Sequence, residues 1–435
     1  RLVAFQDLSP WQQLDSRFQG AVRADGTLRG ASNALQAIID LDAQKLRFGT
    51  FEVATVKVNA DVYLNPKQVT ASHIDAQLQH VSAGADRYDH VTLRATGTAQ
   101  AHEATLTAGG TTRRGSLTTH GGWNGDHWQG AINNLILEPS TGQVWRSEGA
   151  APLTLSAKNI QLEPLCIAFE NNRFCVEGAM NERGQYGRID VPVLNLDVLQ
   201  PWLPANLILR GALQAHANLN ITPDGNPVGY ATVTLPEGKM SRNADLLPDS
   251  TLDFKSTALD VRLNSDQLTL TIQSDMDNIG SVRGALQVGG EAFTTTPADA
   301  EMTGTLNVSV SDLTQLGPFI PNIKDIGGRA NIDLKAAGRL NQPHLELNAV
   351  LEQGHVHVTP ANLQVGEIGL AINGSTDNGF NIRGDARSGE GALALRGYAF
   401  QDDVVGWKLT SSLRGDHVTA MNTRQVRVLL SPDID

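Results

Sequence analysis

Strict alternation of apolar and polar residues dominates this chain and constrains its fold more than any other feature. In the clearest run, from Ala54 to Leu64, every second residue is small or medium-sized and apolar, whereas Lys57, Asn59 and Asp61 lie between them. Successive side chains of a β-strand point to opposite faces of the sheet. The run therefore predicts a strand with one apolar face and one polar face.

The same pattern recurs along the whole chain, and turn signals separate the runs. Dipeptides that favour tight hairpins, such as Asp25-Gly26, Asn124-Gly125 and Asn378-Gly379, fall between them. We therefore expect successive strands to be mostly antiparallel. The apolar positions of the principal runs, which we predict to line a groove, are Ala54, Val56, Val58, Ala60, Val62, Leu64, Leu213, Ala215, Leu219, Ile221, Leu259, Val261, Leu263, Leu268, Leu270, Ile272, Leu306, Val308, Val310, Leu345, Leu347, Leu351, Ile368, Leu370 and Ile372.

A long sheet cannot leave an apolar face in water, so this face must pack on a second sheet, close into a barrel or curl around something apolar. Aromatic residues make up only 5% of the chain, and many apolar positions are Ala or Val. Such residues fill the core of a sandwich poorly. The composition therefore favours an all-β protein whose long, curved, mostly antiparallel sheet forms an open hydrophobic groove, with a few short helices.

The chain also contains a long internal repeat, with copies about 117 residues apart. The matching pieces are 199–204 with 316–321, Gly211 with Gly328, and 235–238 with 351–354. A repeat of this length exceeds the common solenoid units and indicates modules of several strands in an array. We predict three groove segments, which are 1–165, then 166–310 with a cysteine hairpin and the first Leu-Pro repeat, then 311–435 with the second.

Helical signals are few and short. Segments 7–14 and 312–316 each predict one or two helical turns, capped by Ser9 and Asp312. Proline cannot donate a hydrogen bond into a central ladder, so prolines should mark the boundaries of the repeat. The prolines that we expect to force extended chain there are Pro201, Pro204, Pro318 and Pro321.

Charge and hydropathy exclude several functions. The net charge of -12 and the lack of a dense Lys/Arg patch argue against a nucleic-acid partner. No apolar stretch approaches the roughly 18 residues of a membrane-spanning helix. The chain starts at Arg1 without the features of a signal peptide. We therefore expect a piece or a processed product, with any membrane anchor outside it.

The two cysteines, Cys166 and Cys175, flank the turn pair Asn171-Asn172. A hairpin there would place the two thiols opposite each other on adjoining strands. Facing cysteines favour a disulfide and an oxidising compartment, whereas a pair of buried free thiols is the alternative. A zinc site is not expected, because two thiols without nearby histidines are an incomplete ligand set.

Motifs for catalysis or cofactor binding do not occur in the sequence, which has no nucleophile elbow, zinc-protease histidine pair, phosphate-binding loop or Cys-x-x-Cys. His355 and His357 share a strand face but have no adjacent third ligand, and Asp402-Asp403 follows a turn. Trp123 and Trp128 flank a turn dipeptide, which favours hairpin packing over a sugar-binding platform. We therefore predict no catalytic residue, no metal and no cofactor.

A series of short segments in a fixed order runs along the whole chain. The segments are the strand 93–97 with His102, 121–123 with 128–130, the Cys166 and Cys175 pair, 311–316, 319–321, Gly327-Gly328, 338–340, Gln342-Pro343, 351–354, 366–368, 423–428 and 430–433. Taken in order, these segments resemble the TamB family, subunits of the translocation and assembly module that belong to the AsmA-like, repeating β-groove proteins. Each segment is short, and their order carries the resemblance.

The resemblance implies a long curved sheet, sometimes called a β-taco, in a periplasmic protein. It also implies an inner-membrane anchor at a missing N-terminus, an outer-membrane barrel partner of the TamA type, and a position just before the family's C-terminal domain. Family members are implicated in carrying phospholipid between the two membranes. They are also implicated in the assembly and secretion of outer-membrane proteins and autotransporters.

Two functions follow as hypotheses. The first, which we expect, is a groove that conducts phospholipid and so contributes to outer-membrane biogenesis. The second is a scaffold that holds unfolded outer-membrane proteins by adding their strands to its sheet. A parallel β-helix adhesin or polysaccharide-cleaving enzyme would also be rich in Gly and strands, but it needs clustered Asp, Arg or Lys on neighbouring rungs, and the charges here are scattered.

Overall fold

The computed structural model describes residues 18–30, 35–63, 70–84, 86–111, 113–242, 250–290, 297–402 and 406–435. Strands make up 77% of it and short helices 4%, so the predicted all-β, antiparallel class is confirmed. Three predictions fall outside the described residues: the groove position Leu64, the helix at 7–14, and Asp403.

The chain divides into two units, Arg1–Val191 with Asn220–Gly225, and Pro192–Leu219 with Asn226–Asp435. The division into three groove segments stays a prediction. The first unit contains β1 (Phe18–Arg29), β2 (Gln36–Phe48), β3 (Phe51–Tyr63), β4 (Ser72–Ala83), β5 (Asp86–Gly97), β6 (His102–Gly109), β7 (Arg114–Asn124), β8 (His127–Glu138), β9 (Trp145–Ser147), β10 (Ala151–Leu155), β11 (Ile160–Phe169), β12 (Asn172–Asn181) and most of β13 (Gly184–Asn195).

In the first unit, each strand from β1 to β7 pairs antiparallel with the next. The short strands β9 and β10 together occupy the place between β8 and β11, and β11 pairs with β12. The chain order is thus kept in the sheet. The long alternating runs specify these ladders, because one residue of slippage would turn every apolar side chain to the other face.

The second unit contains 3₁₀ helices η1 to η3 and strands from β14 onwards. They are η1 (Leu196–Trp202), β14 (Leu207–Ile221, its last two residues in the first unit), β15 (Pro227–Leu235), β16 (Gly238–Arg242), β17 (Ser250–Asn264), β18 (Gln267–Met276), β19 (Gly280–Gly289), η2 (Pro297–Asp299), β20 (Glu301–Val310), η3 (Thr314–Phe319), β21 (Ile323–Arg339), β22 (Gln342–Val358), β23 (Leu363–Ser375), β24 (Gly379–Ser388), β25 (Gly391–Asp402), β26 (Gly406–Asp416), β27 (Val418–Asn422), β28 (Arg427–Leu430) and β29 (Asp433–Ile434).

Pairing in the second unit again follows chain order, and β17 to β26 form one antiparallel succession. Strands β15 and β16 both pair with β17 and act as one strand interrupted at Pro236 and Glu237. The hairpin of β27 and β28 is a separate two-stranded sheet, and β29 pairs with the end of β26.

A line of backbone irregularities crosses neighbouring strands in each unit, and we call it the crease. In the first unit it contains Gly20, Lys45, Ala54 and His80: Lys45 and His80 have positive φ of 52° and 51°, and both lie opposite Ala54 without forming a ladder pair. The register of β1 shifts at Gly20. Such irregularities bend a strand, so aligned ones bend the sheet along a line.

In the second unit the crease contains Gly328, Gln353 and Glu367, where the registers of β21, β22 and β23 shift. The φ angles of these residues are 130°, 54° and 49°. Glycine tolerates such values, whereas Gln and Glu are strained there. The register of β17 shifts at the corresponding place, between Phe254 and Ser256.

The internal repeat matches the crease. Gly211 and Gly328, which correspond in the two copies, have φ of 135° and 130°. A Cβ on Gly211 would lie 2.7 Å from the carbonyl oxygen of Glu237, and one on Gly328 would lie 2.9 Å from the Cα of Gly354. The repeated glycines therefore permit two strands to approach closely where the strand bends.

The Leu-Pro segments of the repeat form η1 and η3, so the expectation that Pro201 and Pro318 force extended chain is wrong. The fixed φ of proline lies within the 3₁₀ range, and extended backbone begins only at Leu203 and Ile320. The short helix predicted at 312–316 occurs slightly later, as η3. Asp312 precedes it and accepts a hydrogen bond from the Thr314 amide at 2.9 Å, which lowers the pKa of the Asp312 carboxyl.

Cys166 and Cys175 are ladder partners in β11 and β12, and their Sγ atoms are joined in a disulfide. The turn between the strands is Glu170-Asn171 instead of Asn171-Asn172, because Asn172 already pairs with Phe169. The Asn172 amide caps this turn by donating to the Phe169 carbonyl at 3.0 Å. The disulfide thus closes a short hairpin.

Candidate functional site

The apolar side chains of the second unit form rows that run across the strands. One row crosses β17 to β22 through Leu259, Ile272, Gly284, Leu306, Leu334 and Leu347, each opposite the next. Directly opposite residues have Cβ atoms about 5 Å apart, so their side chains touch. We call the surface made by this row and its parallel neighbours the apolar face.

Glycines within the rows do not interrupt the apolar face. A Cβ on Gly284 would lie 2.9 Å from Cγ2 of Ile272 and 3.3 Å from Cδ1 of Leu306. The two neighbouring side chains therefore already occupy the space above this glycine. The row therefore stays apolar at Gly284, although this residue has no side chain.

In β20 the apolar face is more sheltered than the opposite face, whereas in β18 residues of both faces are half-buried. In β20 the residues Met302, Gly304, Leu306, Val308 and Val310 are half-buried, and every residue between them is exposed. Thr and Val have nearly the same size, yet Val308 and Val310 are half-buried, whereas Thr303 and Thr305 are exposed. The difference therefore comes from the surroundings of the face, as expected for a sheet that curves towards its apolar side.

No second sheet packs on the apolar face within the described part of the second unit. The extensive contacts there are between ladder neighbours, apart from η3 with β17 and β21, and β27 with β23, β24 and β25. Row residues such as Leu270 and Leu347 are accordingly half-buried, not fully buried. The face is therefore apolar, sheltered and open, which differs from a sandwich core.

The opposite face of the same strands is polar. Asn307, Asp333, Asn348 and Asn373 lie opposite one another in successive strands, and all are exposed. The Asn307 Nδ2 donates to Asp333 Oδ1 at 2.6 Å. The two faces thus differ in chemistry along this row, although Val350 and Ala371 also lie on the opposite face.

His344, beside the β23–β24 turn, has a raised pKa. His344 Nδ1 lies 2.9 Å from Asp377 Oδ2, and this hydrogen bond raises the pKa of His344. Glu346, on the same strand, adds a weaker contribution in the same direction. The imidazole is partly exposed and belongs to the polar side of the protein.

The first unit has an equivalent apolar face. Its central row crosses β1 to β8 through Ala24, Leu41, Val58, Ala76, Leu93, Leu106, Leu117 and Leu135. At the crease the alternation shifts by one residue, so that Val53 is 2% exposed and Ala54 is exposed. The cause is the unpaired position of Ala54 between Lys45 and His80, which a single strand's sequence does not reveal.

The predicted groove positions that the structure describes are half-buried, except Ala54 and Leu219, which are exposed. Ile368 is half-buried like the others but lies at the crease, opposite Gly354. Apolar-face residues that the sequence reasoning missed include Val282, Ile332, Leu334, Ile382 and Leu395. The same alternation would have found them, although intervening glycines weaken it.

The other residues singled out in the sequence have ordinary structural partners. His357 Nε2 contacts Asn362 Oδ1 at 3.0 Å, His355 Nε2 lies 3.6 Å from Asp325, and Lys408 Nζ donates to Asp402 at 2.6 Å. Among the described residues, no three His, Cys, Asp or Glu side chains are grouped to hold a metal ion.

The two tryptophans of the β7–β8 hairpin are directly opposite each other. Trp128 is 8% exposed, covers Gly121 and Gly130, and donates its indole N–H to His102 Nε2 at 2.8 Å. Trp123 is 50% exposed. The contacts of Trp128 are those of a packing residue.

No helix in the described ranges has the length and apolar character needed to cross a membrane. The family model described as TamB, N-terminal domain, matches residues 3–348, well over half of the chain. The chain belongs to the TamB family. The family predicted from the sequence motifs is therefore confirmed. TamB proteins are periplasmic transport and assembly scaffolds, not known enzymes, and they act with an outer-membrane component of the TamA type.

Proposed function

We propose that the apolar face conducts phospholipid between the inner and outer membranes and so contributes to outer-membrane biogenesis. The observation that carries the proposal is the row geometry of the second unit: apolar side chains continue from strand to strand and remain half-buried, and among the residues that the structure describes there no second sheet covers them. In this proposal an inner-membrane anchor and a TamA-type barrel bring the two ends of the path to their membranes.

Energetics favour such a path. Moving a CH₂ group into water costs about 0.8 kcal/mol, so a sixteen-carbon chain would face on the order of 12 kcal/mol. A continuous apolar face removes most of that barrier. Since the row presents similar apolar side chains from one strand to the next, it also avoids a deep trap at any one position.

Site-specific photo-crosslinking tests the proposal with matched positions on the two faces. A photoreactive residue at Leu270 or Leu347 should capture phospholipid in the periplasm, whereas one at Thr271 or Asn348, the next residue in each strand, should not. Equal capture from both faces would contradict the assignment of the apolar face as the path.

A scaffold for unfolded outer-membrane proteins is the second candidate, and the edge of β26 favours it. Within the described residues, β26 pairs with β29 only at Leu413 and Arg414, and Trp407 and Leu409 are 56% and 63% exposed. Exposed apolar side chains beside the outward edge of a strand suit the addition of a client strand. A photoreactive residue at Trp407 should then capture polypeptide.

A further inference from the structure

Three asparagines lie in one line across the polar face of the second unit, and we call them the asparagine row. Asn348 in β22, Asn373 in β23 and Asn381 in β24 are successive ladder partners, and all three are exposed. Their side-chain amides make no hydrogen bond with any residue that the structure describes. Each amide therefore keeps its donors and its acceptor for a ligand or for water.

The asparagine row departs from the local preferences of a strand. Asparagine is depleted in strands. Elsewhere on the same face opposite charges lie across the ladder, as Lys335 Nζ and Glu346 Oε2 do at 3.8 Å. Positions that break a local rule without a compensating contact are concentrated at functional sites. The row therefore points to a ligand that the amides bind.

An aromatic side chain continues the line of the asparagine row. Tyr398 in β25 is the ladder partner of Asn381 and is 39% exposed. Its ring stacks with Phe400, with ring centres 5.6 Å apart, and its hydroxyl donates to the Asn378 carbonyl at 2.7 Å. These contacts fix the ring while part of it stays open to solvent. A rigid aromatic ring with a polar edge suits contact with the C–H groups of a sugar.

Two arginines oppose each other in the neighbouring line of the same face, and we call them the arginine pair. Arg383 in β24 and Arg396 in β25 are ladder partners, and both are exposed. Like charges directly opposite each other destabilise a sheet. No carboxylate among the described residues forms an ion pair with either arginine, including Asp385, two residues along β24. The pair therefore favours a ligand with a carboxylate, which a guanidinium binds through two hydrogen bonds.

The line of the arginine pair starts with two small apolar residues. Val350 in β22 and Ala371 in β23 are ladder partners, both half-buried, and Ala371 lies opposite Arg383. Each is two residues from a member of the asparagine row, on the same face. A side-chain amide beside a small apolar surface matches an acetamido group, which presents an amide and a methyl group.

The polar face is not flat beside the asparagine row. Asn348, together with Asn307, Lys335 and Glu346, lines an open depression of about 750 Å³. This volume lies within the range of ligand sites, roughly 300–1,000 Å³. Neighbouring strands are about 4.8 Å apart, and a linear β-linked glycan advances by a similar distance per sugar. A glycan lying across the strands would therefore place about one sugar above each strand.

We propose that the polar face of the second unit binds a linear, N-acetylated glycan that carries carboxylates. The asparagine row binds its acetamido and hydroxyl groups, Tyr398 packs on one sugar ring, and the arginine pair binds a carboxylate. The glycan strands of peptidoglycan have this chemistry and share the periplasm with TamB proteins. The site leaves the apolar face unused, so it does not depend on the proposed lipid path.

Three soluble glycans test the proposal by their affinity for the full chain. They are uncrosslinked peptidoglycan strands, oligomers of N-acetylglucosamine, which lack carboxylates, and a polyuronate, which lacks acetamido groups. The peptidoglycan strands should bind most tightly and the neutral oligomers more weakly. The polyuronate should bind least, because the chain has a net charge of -12. No binding of the peptidoglycan strands, or equal binding of the polyuronate, would overturn the proposal.

Substitutions on the polar face assign the binding to the site. Arg383→Gln should weaken the binding of peptidoglycan strands about tenfold, through the loss of a charge-assisted hydrogen bond, and should not affect the neutral oligomers. Asn373→Ala should weaken both acetylated probes about fivefold. Because both side chains are exposed and make no ion pair or side-chain hydrogen bond among the described residues, neither change should lower the thermal unfolding temperature.

Arg387→Gln is the matched control. Arg387 lies on the same strand and face as Arg383, but its Nε is already 3.2 Å from Glu367 Oε2. This variant should bind all three probes like the natural protein. Unchanged affinity in Arg383→Gln and Asn373→Ala, or an equal loss in Arg387→Gln, would overturn the assignment of the site.

Discussion

Gly328 and Gly354 lie so close across β21 and β22 that a Cβ on Gly328 would be 2.9 Å from the Gly354 Cα. Gly328 also has a φ of 130°. Gly328→Ala should therefore destabilise the protein by about 1–3 kcal/mol through backbone strain and the close contact. Chemical denaturation followed by circular dichroism measures the change.

Gly366→Ala is the matched control for this prediction, because a Cβ there meets nothing within 4 Å and its φ is not positive. It lies in β23, which pairs with β22 on the side away from β21, and it is beside the same crease. Equal losses for the two variants would show that any substitution of glycine in this region is harmful, and the argument from close approach would fail.

The Cys166–Cys175 disulfide should stabilise the first unit. It bridges residues 9 apart in sequence, and closing so short a loop in the unfolded chain contributes roughly 2–3 kcal/mol. A reductant should lower the thermal unfolding temperature of the natural protein. The double variant Cys166→Ala/Cys175→Ala should have a lower unfolding temperature than the natural protein, and reductant should not lower it further. If reductant lowered the unfolding temperature of both proteins equally, its effect would not come from this disulfide.

The apolar face should not tolerate charge at its centre. Leu306→Asp places a carboxylate among Gly284 and Leu334, so we expect lipid that copurifies with the natural protein to be lost. Thr305→Asp, the adjacent change on the polar face, lies opposite Lys335 and should retain it. Lipid mass spectrometry measures the difference, and circular dichroism checks that both variants fold. Retention by both variants would argue against the face as the binding surface.

The ion pair of His344 and Asp377 should make stability depend on pH. Because the folded protein raises the pKa of His344 above 6.5, the pair stabilises fully below that value, and the contribution disappears as the pH rises through the folded pKa. Asp377→Asn should therefore cost more stability near pH 6 than near pH 9. It should also lower the His344 pKa measured by NMR, whereas Asp266→Asn should not.

Much of the fold follows from alternation in single strands. Leu268, Leu270 and Ile272 identify both β18 and its apolar side, since side chains in a strand alternate strictly. The crease could not be located in this way. Val53 replaces Ala54 in the apolar row because Lys45 and His80, in the neighbouring strands, adopt positive φ, and pairing across strands is absent from a local pattern.

The prolines show a second limit of local reasoning. The sequence indicates a break in a strand at Pro201, and the structure has one. The chain forms a 3₁₀ helix there instead of extended backbone. Proline excludes a ladder position but is compatible with both extended and 3₁₀ backbone. Which one forms depends on the strands nearby; η3, for example, packs against β17 and β21.

The crease coincides with the internal repeat, and this bears on how such a chain can lengthen during evolution. Each copy carries its own bending glycine, Gly211 or Gly328, and its own short helix, η1 or η3. Duplication of one copy would thus add strands, a bend and a short helix together, with the register of the new strands already specified by their alternation. A chain with such a repeat can lengthen in steps of one copy, without a change in how each copy pairs and bends.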